Sequence, residues 1–416
     1  MEMVLGVLVV ALGGLIMGSG AWPFKLMRKF QFEHWWFVGM LVGLVIMPWA
    51  ITLFGCPGAI DGLMNVPASA IIKGNIFAFG WGIANVLCGI CFVRIGVALT
   101  GAILAGLGVS VGSIVPLVFK GSGLFKDAAD LGSPAGLTVM AGVAVMLVGV
   151  VIASVAGFGR DRELKKAAQP SGGGFLGGLI MTVIAGVLST GTAFVFIYSQ
   201  DPIVSNLSVV RPATCVTIQV EGMKDISGKR DVRADGTVAL REGLVVDLGG
   251  LRASEAARRI AEAIAADSTR KSGPGASGVK VETGSIPATF GVFAVGLFAG
   301  AIINIGYAAY LLTKNGTWGV LLSSAKEIIL AVIIGVNFSV AVALMGKGML
   351  LLGALGGSIG WGIQQAMQMT GSQAVGFLSG EWRGVCGKPR KQMVFAIAVL
   401  IIAAVILAFA NTLARS

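Results

Sequence analysis

The stretch from Gly80 to Pro116 leaves this chain few choices of fold. It holds 37 residues, eight of them glycine, with a single formal charge at Arg94. About 20 apolar residues cross the hydrocarbon of a bilayer, so each half is long enough to span one. The cut falls at Arg94-Ile95-Gly96, a very short turn between two antiparallel membrane helices. In lipid, helices associate through packing and not through hydrophobic burial, and glycines let their backbones approach closely. Trp81 and Asn85 are the aromatic and polar exceptions in the run. An amide buried in hydrocarbon is costly unless it finds a partner. The pair is therefore the expected floor of a substrate path.

The same texture recurs along the chain, which is 56% hydrophobic and 12% charged with a mean hydropathy of +0.88. A soluble domain carries about 25% charged residues, so the expectation is an all-α polytopic membrane protein. Ten spans are predicted, at roughly 3–22, 35–54, 70–93, 95–118, 135–157, 174–199, 288–312, 326–345, 349–380 and 390–411. The ninth is too long for one straight crossing, so a tilt, a kink or a re-entrant piece is expected there. Residues 201–287 interrupt the series and are soluble in composition. They divide the chain into a first membrane part (1–200), an insert and a second membrane part (288–416).

Basic residues record orientation in a membrane protein. Loops after odd-numbered spans hold fourteen Lys and Arg, among them Lys25, Arg28, Lys29, Arg160 and Arg390, against five on the other side, the long insert left out. The odd loops are thus expected in the cytoplasm of a bacterial cell. Both termini and the insert are expected outside the cytoplasmic (inner) membrane, in the periplasm of a Gram-negative cell. The apolar start at Met3 follows only one charge, Glu2, so it reads as a retained first helix and not a secretory signal.

Several chemistries are excluded. The net charge of +11 comes without basic runs interleaved with aromatics, so no nucleic-acid face is expected. Five scattered cysteines and a single histidine give no metal site, and Cys88-x-x-Cys91 lies inside an apolar span, where packing is its expected role. No nucleophile–base pair or phosphate loop occurs, so neither an enzyme nor a cofactor is expected.

The first hairpin carries Pro23-Phe24-Lys25, then Lys29-Phe30-Gln31-Phe32-Glu33-His34-Trp35-Trp36, then Met47-Pro48-Trp49-Ala50. At this spacing the elements resemble the L-rhamnose–proton symporter family of the drug/metabolite transporter superfamily. Trp81-Gly82-Ile83-x-Asn85, Arg94-x-Gly96, Gly300-Ala301-Ile302-Ile303-Asn304-x-Gly306 and Glu381-Trp382 extend the resemblance over 1–200 and 288–411. It implies two five-helix inverted repeats with a substrate site near the midplane. Gly80-Trp81-Gly82-Ile83 recurs as Gly360-Trp361-Gly362-Ile363, a short internal echo.

In the insert, Val216–Val220 reads as a strand and 232–240 as strand, turn and strand about Asp235-Gly236. Residues 253–266 form an amphipathic helix, Val279-Lys280-Val281 a last strand, and 268–277 a Gly/Ser/Pro-rich loop. The order, with Gly250-Leu251-x-x-x-Glu255-Ala256, resembles the polysaccharide export protein domain. That resemblance implies a small α+β, β-grasp-like, periplasmic domain in contact with polysaccharide or an export protein.

Single residues keep two readings each. Asn85 and Asn304 either hydrogen-bond a sugar hydroxyl or pin one helix to another. Trp81 and Trp361 either stack on a pyranose face or anchor packing. Gln364, Gln365 and Gln368 put three amides on neighbouring turns, a row that must face protein or water and so is expected to line a cavity. A proton symporter needs a titratable group, and the candidates Glu33, His34, Glu327 and Glu381 all lie near span ends. Glu33 and His34 are the proton-coupling choice, as members of the most specific motif; the rival reading is a pair in interfacial water. Where the family pattern places an acidic residue before the ninth-span motif, this chain has Gly356-Gly357-Ser358. The function expected is secondary transport of a small sugar, an L-rhamnose-like deoxyhexose, with protons. The alternatives are another metabolite carried by the same fold and linked to surface polysaccharide, or a non-transporting scaffold for polysaccharide export.

Overall fold

Hydrocarbon offers the backbone no hydrogen-bonding partner, so the apolar runs satisfy themselves as helices. The computed structural model describes residues 2–95, 97–118, 130–164, 175–223, 225–266, 278–352, 356–385 and 387–413. In chain order the helices are α1 (Glu2–Ser19), α2 (Phe32–Leu41), α3 (Met47–Gly55), α4 (Ala59–Met64), α5 (Ala68–Ile95), α6 (Val97–Val118), α7 (Pro134–Glu163) and α8 (Phe175–Ser189). They continue with α9 (Gly191–Val195), α10 (Asp201–Leu207), α11 (Ala253–Ala266), α12 (Ile286–Gly291), α13 (Phe298–Asn315), α14 (Ala325–Leu352), α15 (Gly356–Leu378) and α16 (Lys388–Leu413). Five-residue π-helical turns at Val42–Ile46, Phe196–Gln200 and Val292–Gly296 interrupt the regular ladder.

Among the described residues seven helical runs are long and apolar enough to cross a membrane, and an eighth is the pair Ile286–Gly296 and Phe298–Asn315, bent by 62°. The expected ten are not reached by this measure. In α6 the apolar part Ile103–Val118 is too short, and four glutamines, Gln364, Gln365, Gln368 and Gln373, lower the hydropathy of α15. The boundary expected at 345–349 also moves. Helix α14 runs through Lys347 to Leu352, and α15 begins at Gly356. One lysine does not stop a helix, because its long stem lets the ammonium reach polar surroundings.

The chain divides into two compact units. The first comprises Met1–Met47, Gly74–Ile197 and Leu297–Ser416, and glycines set its helix spacing. A Cβ on Gly13 would stand 2.8 Å from the Ala341 carbonyl oxygen of α14, and one on Gly14 2.5 Å from the Gln364 carbonyl oxygen of α15. Helix α1 therefore lies against both neighbours at backbone distance. Helices α7 and α16 mesh differently. Gly142 and Gly149, seven residues apart, receive Leu407 and Leu400, also seven apart and in reverse order, so the pair is antiparallel. Val139, Val143, Met146 and Val150 complete this buried seam with Ala403.

The second unit comprises Pro48–Lys73 and Tyr198–Gly296. It contains β1 (Cys215–Val220), β2 (Gly228–Asp231), β3 (Thr237–Arg241), β4 (Leu244–Asp247) and β5 (Val279–Glu282). Strand β1 pairs antiparallel with β2 and β5 in the order β2-β1-β5, and β3 pairs with β4 as a separate hairpin. Alternation buries Val216, Ile218 and Val220 from β1, which meet Leu240, Leu248 and the Ile260 face of α11 in one apolar core. Helix α11 lies where its 3.6-residue pattern requires, with Ala253, Ala256, Ile260 and Ile264 buried. The strand expected at 232–235 falls earlier, at Gly228–Asp231, and β4 was not expected at all. The tight turn Glu242-Gly243 makes that hairpin, with Gly243 at φ +81°. These small sheets and α11 make up an α+β unit. The Gly/Ser/Pro-rich stretch 268–277 lies outside the described residues.

Candidate functional site

Three groups of polar side chains stand out in the first unit, and all three contain residues singled out from the sequence. The first joins α5 to α13. Gly82 and Gly300 let these helices approach, for a Cβ on Gly82 would lie 2.8 Å from Ile303 Cβ and 3.1 Å from the Gly300 carbonyl oxygen. One turn on, Asn85 Nδ2 donates to Asn304 Oδ1 at 3.2 Å, and Asn304 Nδ2 donates to the Gly300 carbonyl at 2.8 Å. Asn304 is fully buried. Each amide thus holds the other, while the bridge leaves Asn85 Oδ1 outside its own hydrogen bond. Trp81 is 8% exposed, stacked on Phe338 at 6.2 Å, and lies over Gly300.

The second group is the polar stripe of α15. A helix turns 100° per residue, so Trp361, Gln364, Gln365 and Gln368 fall within an arc of about 100°. The Trp361 indole donates to the Gly108 carbonyl of α6 at 3.1 Å and fills the space a side chain on Gly112 would need. Its ring is therefore committed to packing α15 on α6. Gln364 Nε2 donates to Gln368 Oε1 at 2.9 Å, yet its own Oε1 is buried without a partner. A buried acceptor left open costs about 1–3 kcal/mol, which a ligand donor would offset. Gln365 is half-buried.

The third group is built around the segment between α1 and α2. Glu33 is 5% exposed, and its Oε1 accepts from Asn315 Nδ2 at 3.0 Å. His34 Nδ1 accepts the Gln31 backbone N–H at 3.1 Å, which puts the ring proton on Nε2, 3.2 Å from the Thr317 carbonyl oxygen. Both of its nitrogens are engaged in fixing the start of α2. Glu327, at the start of α14, does more than its position in sequence suggests. Its two oxygens accept from the backbone N–H groups of Arg28, Lys29 and Phe30 at 2.6–3.1 Å. Glu381 pairs with Lys25 and with Arg160, whose guanidinium also lies 5.4 Å over the Trp382 ring. Of these carboxylates only Glu33 and Glu327 are buried. The sequence contained no signal for the Glu327 nest, because its three donors are main-chain groups 297 to 299 positions away.

The profile of the L-rhamnose-proton symport protein (RhaT) family matches residues 1–212, just over half of the 416-residue chain. The L-rhamnose-proton symporter of Yersinia pestis bv. Antiqua (strain Antiqua) is 28% identical over 172 residues, 41% of this chain and 48% of the relative. The protein of the same name from Yersinia pseudotuberculosis serotype O:1b (strain IP 31758) matches to the same extent. The chain thus spans about half the length of the curated relatives it matches. The first and third groups include Trp81, Asn85, Glu33 and His34, which lie within the matched region; Asn304 and the α15 stripe lie outside it.

Proposed function

The chain belongs to the L-rhamnose-proton symport protein family, and from that premise we propose that it is a secondary transporter carrying a small sugar with protons. The observation that carries this reading is the Asn85–Asn304 bridge, half-buried at Asn85 and fully buried at Asn304. It is an uncharged donor–acceptor pair inside helices whose surroundings are apolar, the chemistry that takes a neutral polyol and rejects ions. The curated relatives are named for L-rhamnose, so a deoxyhexose of that kind is the substrate class. We read α6 and α15 as crossing the membrane too, which gives ten spans in two inverted repeats. The basic-residue count supports an orientation with the insert and both termini outside the inner membrane. The resemblance of the insert to the polysaccharide export domain supports a role in contacting polysaccharide or an export protein.

For proton coupling the reading favours Glu33. Its neighbour His34 has both nitrogens engaged, both Glu327 oxygens are occupied by backbone donors, and Glu381 is ion-paired. Glu33 has a single neutral donor on Oε1, and among the described residues no donor or cation takes Oε2. A proton therefore has somewhere to go. The experiment is uptake of labelled L-rhamnose into proteoliposomes with an imposed pH gradient. Glu33→Gln is expected to abolish accumulation while leaving exchange down a sugar gradient. Wild-type uptake indifferent to the pH gradient would remove the symport assignment, and no uptake of any sugar would remove the transporter reading.

A further inference from the structure

The apolar run Leu176–Leu207 is one span whose helical ladder loosens at one residue between α8 and α9, Thr190, with the backbone there still right-handed (φ −69°, ψ −11°). Helix α8 ends at Ser189, α9 begins at Gly191, and Thr190 forms a turn between them. The break lies almost midway along the run. What surrounds this break is specific. The position a Cβ would occupy on Gly108 of α6 is 3.1 Å from Ser189 Oγ and 3.5 Å from Gln365 Nε2 of α15. A hydroxyl and an amide from two different helices thus converge on one bare backbone position. On the other side of the break, a Cβ on Gly191 would meet the Phe77 carbonyl oxygen and stand 3.2 Å from Trp81 Cβ. The three residues Ser189-Thr190-Gly191 therefore join the α15 stripe to the Trp81 group.

The polar groups here are not used up. Ser189 Oγ donates to the Gly186 carbonyl at 2.7 Å, which leaves its lone pairs to accept. Gln365 makes no hydrogen bond to another described residue, and its neighbour Gln364 keeps a buried acceptor without a donor. No titratable side chain belongs to the set. Resting on the transport reading above, we infer that the α8–α9 break is a sugar subsite. Ser189 and Gln365 take adjacent ring hydroxyls over Gly108, which lacks a side chain so that the ring can approach. The ligand class is a neutral polyol, because the set offers both donors and acceptors and no charge.

The test uses the full chain in proteoliposomes with labelled L-rhamnose and a set of its monodeoxy analogues. Losing one such hydrogen bond corresponds to about a tenfold change in affinity. Ser189→Ala and Gln365→Leu should each raise KM about tenfold with the maximal rate little changed. One monodeoxy analogue that wild type handles poorly should be handled by Ser189→Ala no worse than L-rhamnose, since the hydroxyl and its partner are then both absent. Gly108→Ala should raise KM for every sugar in the set. Thermal stability in detergent, unchanged in Ser189→Ala, separates recognition from folding. Unchanged KM in both side-chain variants overturns the subsite while leaving the transporter intact, as does a loss of maximal rate alone with the analogue pattern preserved. If wild type carries no sugar, the transport reading falls, and the subsite falls with it.

Discussion

Glycine has different duties in the membrane helices and in the soluble insert. In the membrane body it creates space. A Cβ on Gly335 of α14 would stand 2.5 Å from the Gly39 carbonyl oxygen and 2.9 Å from Val42 Cβ. In the insert glycine supplies conformation: Gly222, Gly236, Gly243, Gly250 and Gly278 all have φ between +75° and +89°, and around Gly243 nothing lies within 4 Å. The solvent explains the contrast. Helices in lipid gain little from apolar burial and must touch to be held, so the smallest residue sits at the contacts. The soluble insert gains from burying Val216, Ile218 and Ile260 and uses glycine chiefly where a turn demands left-handed backbone.

The strongest way to break this comparison is Gly335→Val. The added atoms would meet backbone on α2, which cannot rotate away, at a cost of about 1–3 kcal/mol or more. Loss of a monodisperse peak in size-exclusion chromatography is expected, and normal yield and stability would refute space as the role of this glycine. Next comes Glu327→Gln. One oxygen becomes a donor facing the N–H groups of Lys29 and Phe30, so about 1–3 kcal/mol is expected to be lost as a lowered Tm. A Tm equal to wild type would mean that the nest does not hold the α1–α2 segment.

Gly243→Ala sharpens the other side. Space is free there, so the penalty is conformational alone, roughly 1–2 kcal/mol, and it should appear as faster hydrogen exchange in β3 and β4 with the membrane helices unaffected. Exchange rising across the membrane helices as well would show that the insert is not locally responsible for its own turn. The smallest effect concerns pH. The Thr237 hydroxyl and backbone N–H both donate to Asp235 at 2.7 and 2.9 Å and hold its carboxyl below the ordinary value. A lowered carboxyl stabilises above its unfolded-state value and loses that contribution as pH falls through the folded one. Protection of the Thr237 amide should therefore fall in acid in wild type, and Asp235→Asn should abolish that pH dependence.

Much of the architecture follows from local pattern. The periodicity of 253–266 gave helix α11 its observed ends, and alternation placed β1 within one residue. The apolar runs became helices because hydrocarbon leaves the backbone no other solution. Asn85 stood out as a polar exception in the sequence for the same reason, and Asn304 through the motif Gly300-Ala301-Ile302-Ile303-Asn304-x-Gly306. Strand β4 was missed because Leu244-Val245-Val246-Asp247 is only four residues long, too short for its pattern to separate from the turn before it.

What only the tertiary structure decided is which polar group meets which. Nothing near Asn85 specifies a partner 219 residues away, since the meeting depends on Gly82 and Gly300 letting two helices approach at one height. The same holds for Trp361, committed to the Gly108 carbonyl, and for Glu327, whose donors are anonymous backbone amides. Ser189 is an ordinary hydroxyl in sequence and becomes a candidate ligand only because α6, α8 and α15 converge at Gly108. Periodicity and composition are set by neighbours along the chain, and fix where helices form. Partnership is set by the packing of surfaces far apart in sequence, and appears only once those helices are brought together.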